Sequence, residues 1–194
     1  METIRAFIAI HLPPDVLRAL AELQARLQAG PGGAAGRWVR PDGIHLTLQF
    51  LGDVPRDRLT RVSAAVDRAC AGRKSFRYAV GGLGCFPNAR RPRVVWVGLH
   101  EESGQLADLQ RAIARELEPL GYPPERRPFS PHLTLARIRQ EAPAREAEAL
   151  AQAALAAPLE NLGVAHAASV HVMRSDLRPT GALYTSLHEA VLQG

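Results

Sequence analysis

The sequence predicts an α+β fold of two pseudo-symmetric lobes, each an antiparallel sheet backed by helices, with a central groove between them. Two observations predict it. His-Leu-Thr-Leu stands at 45–48 and again at 132–135, 87 positions apart in a chain of 194 residues. Around both copies the apolar pattern runs strand, helix, strand, helix, strand, and "AFIAIH" (6–11) matches "VWVGLH" (95–100) at an offset of 89. Shared order and a nearly constant offset argue for duplication more strongly than four letters in a Leu-rich chain. The expected organisation is one bilobal unit, 1–194, duplicated internally at approximately 1–90 and 91–194, with interleaved lobes.

The elements follow in order. "RAFIAIH" (5–11) alternates as a strand does. A helix follows from Pro13 and Pro14, with Leu17, Leu20, Leu23 and Leu27 at helical spacing and Gly30 as its stop. "GPGGAAG" (30–36) reads as a loop, "IHLTLQFLG" (44–52) as a strand ended by Gly52, 55–72 as a helix, and 75–86 as a strand weakened by glycines. The second half repeats this: a strand over 93–100, a helix over 103–121, the strand "HLTLARI" (132–138), a helix over 142–157 and a strand over 168–177. A last strand, 182–190, has no counterpart.

Composition sets the bounds. A hydrophobic share of 46% and a charged share of 22% are those of an ordinary globular protein. No apolar run approaches the roughly 18 residues of a membrane span. The N-terminal "METIRAFIAIHLPPD" has neither a basic leader nor an Ala-x-Ala exit, so it reads as a first strand. Cys70 and Cys85 form neither a CxxC motif nor a disulfide framework, which points to a reducing cytoplasm. The net charge is +5, and Lys74 is the only lysine. Arginine suits a polyanionic partner through bidentate bonds to phosphate, although an Arg-, Ala- and Gly-rich composition also follows from GC-rich coding.

The chemistry lies in the phase of the two repeated strands. Alternate strand residues share a face. Leu46 and Leu48 therefore anchor one copy in the core and leave His45 and Thr47 on the open face, about 7 Å apart. Leu133 and Leu135 do the same for His132 and Thr134. A lone strand histidine is usually a hydrogen-bonded structural residue; the matched pair is what shifts the reading. Two imidazoles facing each other can supply one general base and one general acid near neutrality. Attack on phosphorus with departure of an alkoxide needs both, and the Thr hydroxyls can donate to the non-bridging oxygens. Arg137, at the exit of the second strand, adds a cation. Metal binding is the rival, but Asp53 and Glu141 are the only nearby carboxylates and give no familiar ligand spacing, so neither a metal nor a cofactor is expected.

Trp38, Phe7, Phe50, Phe86, Trp96 and Tyr184 read as core; of these Trp38, Phe86 and Tyr184, in or near loops, are also candidates to line the groove. "NARRPR" (88–93) and "ERRPF" (125–129), with Arg127, are basic loops that could rim it for an RNA backbone. His11, His100, His166, His171 and His188 lack matching partners and read as structural or exposed.

Together "RAFIAIHLP", "W-x-x-P-x-x-x-HLTLQFLG", "RVVWVGL", "RPFSPHLTLAR" and "SDLRPTGALYTSL" resemble the 2H phosphoesterase superfamily, and within it the RNA 2′,3′-cyclic phosphodiesterases, historically called 2′-5′ RNA ligases. The resemblance covers nearly the whole chain. It implies a bilobal fold, no metal requirement, and hydrolysis of a terminal RNA 2′,3′-cyclic phosphate to a 2′-phosphate, with 2′-5′ ligation as a side activity. It implies His45 as proton donor, His132 as proton acceptor, and Thr47 and Thr134 as phosphate ligands. The partners it implies are RNA ends bearing the cyclic phosphate, tRNA-derived ends among them. No membrane partner is expected, and a cytoplasmic monomer is. Gln49 departs from the basic residue common in relatives, which opens the question of phosphate contact beside the first motif. The alternatives are a 2H phosphodiesterase for small cyclic nucleotides or 2′-5′ oligonucleotides, and a non-catalytic RNA-end binding module.

Overall fold

The computed structural model describes residues 2–157, 161–178 and 181–194. The first half contributes β1 (Thr3–Ile10), α1 (Pro14–Ala29), a short β2 (Gly36–Trp38), β3 (Leu46–Pro55), α2 (Leu59–Cys70) and β4 (Phe76–Phe86). The second contributes β5 (Val94–His100), α3 (Gln105–Leu117), β6 (His132–Ile138), α4 (Ala144–Ala156), β7 (Val164–Ala167), β8 (Ser169–Arg178) and β9 (Gly181–Val191). The amphipathic helices bury most of the expected stripes: Leu20, Leu23 and Leu27 in α1, where Val16 is buried and Leu17 only half-buried, and Leu106, Leu109, Ile113 and Leu117 in α3.

Two antiparallel sheets result, one ordered β3-β1-β8-β9 and the other β2-β6-β5-β4-β7. Neither is built from one half of the chain. β4, from the first half, pairs with β5, and β8, from the second, pairs with β1. The helices cross over as well: α2 and α3 pack on each other and against the first sheet, while α4 packs against β4 of the second with α1 beside it.

The crossing extends to single hydrogen bonds. Gln24 of α1, 2% exposed, donates from Nε2 to the Leu135 carbonyl of β6 at 2.9 Å and to the Val39 carbonyl at 2.8 Å. Gln110 of α3 reaches the Leu48 carbonyl of β3 at 3.5 Å. Leu48 and Leu135 close the two His-Leu-Thr-Leu motifs, so each motif strand is held by a helix from the other half of the chain.

Three local expectations change. β2 and β7 are additional to the expected strands, because three- and four-residue strands are too short to show alternation. Gly52 does not end β3; it takes φ +69° beside a bulge in the β1–β3 ladder, and the strand continues to Pro55. A further bulge pairs Ile8 with Gln49 and Ala9 with Thr47. It turns Gln49 to the core side with Ile8 and keeps Thr47 on the open face.

Candidate active site

The side of each sheet away from its helices carries the predicted residues. Leu46, Leu48, Leu133 and Leu135 are at most 3% exposed within the core cluster, and His45, Thr47, His132 and Thr134, on the opposite phase, are half-buried. β3 and β6 approach one another, which brings the two motif strands near each other.

Both imidazoles are fixed in the same way. His45 Nδ1 lies 2.8 Å from the Gly43 carbonyl, and His132 Nδ1 lies 2.8 Å from the Ser130 carbonyl, each two residues upstream. A carbonyl only accepts, so Nδ1 carries the hydrogen in both rings and Nε2 is left for chemistry. Among the described residues, no protein group engages the Thr47 or Thr134 hydroxyl, so both can serve a ligand.

Each ring also has two aromatic neighbours. Phe7 stacks on His45 at 4.6 Å and 27°, and Tyr184 meets it edge-on at 4.9 Å and 84°. Phe86 meets His132 edge-on at 4.9 Å and 85°, with Trp96 tilted at 6.3 Å. Phe86 and Tyr184 thus lie against the two imidazoles. Phe7 is buried, as the core reading has it, and also packs against His45, while Trp96 is only half-buried and stands beside His132. A signal for them existed: the offset of 89 that aligns "AFIAIH" with "VWVGLH" places Phe7 on Trp96. Phe50 also departs from the core reading. It is 57% exposed, paired with Phe7 at the rim of the groove.

Trp38 does not line the groove. Its indole donates to the Gly33 carbonyl at 3.0 Å and packs on the core, over the position where Gly36 leaves room. Arg127 is exposed in the connection that leads to His132, and Arg137 is exposed at the end of β6. Gln49 holds the same connection: its amide donates to the Tyr122 and Pro123 carbonyls at 3.0 and 3.3 Å. Its influence on the site therefore runs through the segment before His132, and not through phosphate. His11, read as lacking a partner, stacks on His171 at 4.0 Å and 14°. Among the described residues no cluster of three or more His, Cys, Asp or Glu is placed to hold a metal ion. No helix of the described residues is long and apolar enough to cross a membrane.

Burial makes the two histidines unequal. His45 is pushed down to about 4, chiefly because its pocket of aromatic rings disfavours the charged form, and His11 adds to this. The Gly43 hydrogen bond opposes the shift without cancelling it. His132 sits in more open surroundings. The folded state thus binds fewer protons at His45 than the unfolded chain, whose histidine titrates near 6.5. Stability is expected to fall as pH drops from about 6.5 to about 4, with no further loss from this group below that. Urea unfolding at pH 4.5 and 7 checks it: His45→Phe should show a smaller difference between the two pH values than the parent protein.

Gly84 gives a second expectation. It pairs with Trp96, and a Cβ at Gly84 would stand 2.2 Å from the indole ring. Gly84→Ala must displace Trp96 from beside His132. A loss of kcat of about 10-fold, with the sheet intact by circular dichroism, is expected on the cost of misplacing a catalytic group.

An open hollow of about 560 Å³ between the ends of β1 and β8 is lined by Arg5, Arg174 and Arg178 but equally by Glu2, Asp53 and Asp176. It contains neither histidine and offers no field of one sign.

Comparison with known proteins agrees with this fold. The family model described as LigT-like phosphoesterase matches twice, over residues 10–96 and 97–184. An RNA 2′,3′-cyclic phosphodiesterase from Methanothermobacter thermautotrophicus is 34% identical over 95% of this chain and 96% of its own length. A crystal structure from Thermus thermophilus superposes with a TM-score of 0.80 at 31% identity, covering 98% of this chain and 99% of that one. The crystal structure of E. coli LigT complexed with 3′-AMP gives a TM-score of 0.79 at 27% identity, with full coverage of both chains.

Proposed function

The chain belongs to the LigT-like phosphoesterase family and is a phosphoesterase of the 2H type, and on that premise we propose that it hydrolyses terminal 2′,3′-cyclic phosphates on RNA, without a metal, to 2′-phosphomonoesters. The observation that carries the reading is the matched pair of histidines. Both have Nδ1 tied to the carbonyl two residues upstream, both offer a free Nε2, and both have a free threonine hydroxyl two residues on. A binding module for RNA ends would need no such pair of proton carriers.

The mechanism proceeds in one displacement. Water attacks phosphorus as His132 Nε2 takes its proton, the bond from phosphorus to the 3′ oxygen breaks, and His45 Nε2 delivers a proton to that oxygen. Thr47 and Thr134 donate to the non-bridging oxygens, and Arg137 supports the charge there. This division of roles is the one the family resemblance implies. His132 is the more open to water. His45 sits where charge is disfavoured, so its imidazolium releases a proton readily, and the anionic phosphate favours the charged form when it is bound. Phe50, exposed beside Phe7, offers a face for the terminal base. The named activity of the Methanothermobacter relative and the 3′-AMP complex of the E. coli relative support the substrate class.

The test is to incubate the protein with RNA ending in a 2′,3′-cyclic phosphate in EDTA and to separate the products. A 2′-phosphate end is expected. A 3′-phosphate end, or turnover that needs added metal, contradicts the proposal.

A further inference from the structure

We propose that Arg37 and Arg137 form a second phosphate subsite, which takes the phosphodiester of the nucleotide before the cyclic end and makes an RNA chain, rather than a cyclic mononucleotide, the preferred substrate. This rests on the cyclic phosphodiesterase reading above.

The β2–β6 ladder pairs Gly36 with Ile138, Arg37 with Arg137 and Trp38 with Ala136. Directly opposed residues in an antiparallel pair have their Cβ atoms about 5 Å apart on the same face. That face is the groove face. Trp38 and Ala136 turn to the core, and a side chain at Gly36 would run into Trp38 and Leu150 of α4. Arg37 and Arg137, one position along, point the other way, as do Thr134 and Trp96 further along the sheet. Arg137 looks across the groove: its charge lowers the proton affinity of Tyr184, although burial outweighs it, and Tyr184 stands edge-on to His45.

Two like charges directly opposed across a ladder repel each other. Both guanidinium groups are exposed, and among the described residues neither has a carboxylate partner in an ion pair. An anion held between them removes the repulsion, and the two planar forks match the oxygens of a phosphate. The pair also stands at a useful distance from the chemistry. Arg137 follows Thr134 by three residues, about 10 Å along the strand. Arg137 can therefore bridge the reacting phosphate and the one before it, which it shares with Arg37.

The experiment compares kcat/KM for a 2′,3′-cyclic mononucleotide with that for a dinucleotide ending in the same cyclic nucleotide. The parent protein is expected to favour the dinucleotide, and Arg37→Gln to reduce that preference by about 10- to 100-fold, the range for charge-assisted hydrogen bonds. The salt dependence of dinucleotide turnover should shallow by about 0.7 in log–log slope, the value for one phosphate contact on a single strand. Arg37→Lys should recover part of the preference as a point charge, and melting temperatures confirm that both variants fold. Equal efficiency for the two substrates in the parent, or an unchanged ratio in Arg37→Gln, overturns the subsite and leaves the cyclic phosphodiesterase reading standing. Turnover of neither substrate overturns that reading, and the subsite with it.

Discussion

Replacing His45 or His132 with alanine is expected to lower kcat by about 10²–10⁴, the contribution of a positioned general acid or base, with little change in KM. Each ring is oriented by one short bond to the carbonyl two residues upstream, and replacing it removes the proton carrier while the neighbouring leucines stay buried. The double variant should lose less than the product of the single losses, because both transfers belong to one transition state and neither helps much without the other. Steady-state kinetics on a cyclic-phosphate substrate checks this. Parental activity in either single variant would sink the mechanism. Asparagine in place of His45 should not restore the rate, since an amide neither gains nor gives a proton near neutrality.

The next largest effect is expected at the threonines. Thr47→Val or Thr134→Val removes only a hydroxyl at almost constant volume, and each should lower kcat by about 10²–10³, as the loss of an oxyanion donor does. Thr47 pairs with Ala9 and Thr134 with Trp96 on the groove faces, so neither hydroxyl holds the fold together. Serine at either position should keep most of the rate. If valine at both positions left kcat within a few-fold of the parent, the phosphate would have to be held elsewhere.

Much of this site is legible in the sequence because it depends on local phase. Period-two alternation separates Leu46 and Leu48 from His45 and Thr47 without reference to any partner strand, and the duplicated context identifies His132 and Thr134 as their match. The exchange of β4 and β8 between sheets is different. Pairing between segments far apart in the chain leaves no periodic mark, so the sequence shows two repeats but not which sheet each strand joins. Bulges are equally silent. One of them turns Gln49 into the core to hold the connection ahead of His132, although simple counting would put it on the open face with Thr47. Trp38 reads as core, with the groove as an alternative because it lies near a loop, and the small residues Gly33 and Gly36 let it pack on the core. The contact of Phe7 and Trp96 with the imidazoles is hidden for another reason. Large aromatics in apolar strands are usually core, and here they pack against the working imidazoles.

The pairing of one acid with one base is tested most directly by the pH dependence of kcat/KM, measured in EDTA for the parent and both single variants. The parent should give a bell. In His45→Ala only the base remains, so the residual rate should rise with pH to a plateau. In His132→Ala only the acid remains, so it should fall as pH rises. The reverse pair of slopes would exchange the two roles, and a parental bell surviving in either variant would contradict the account.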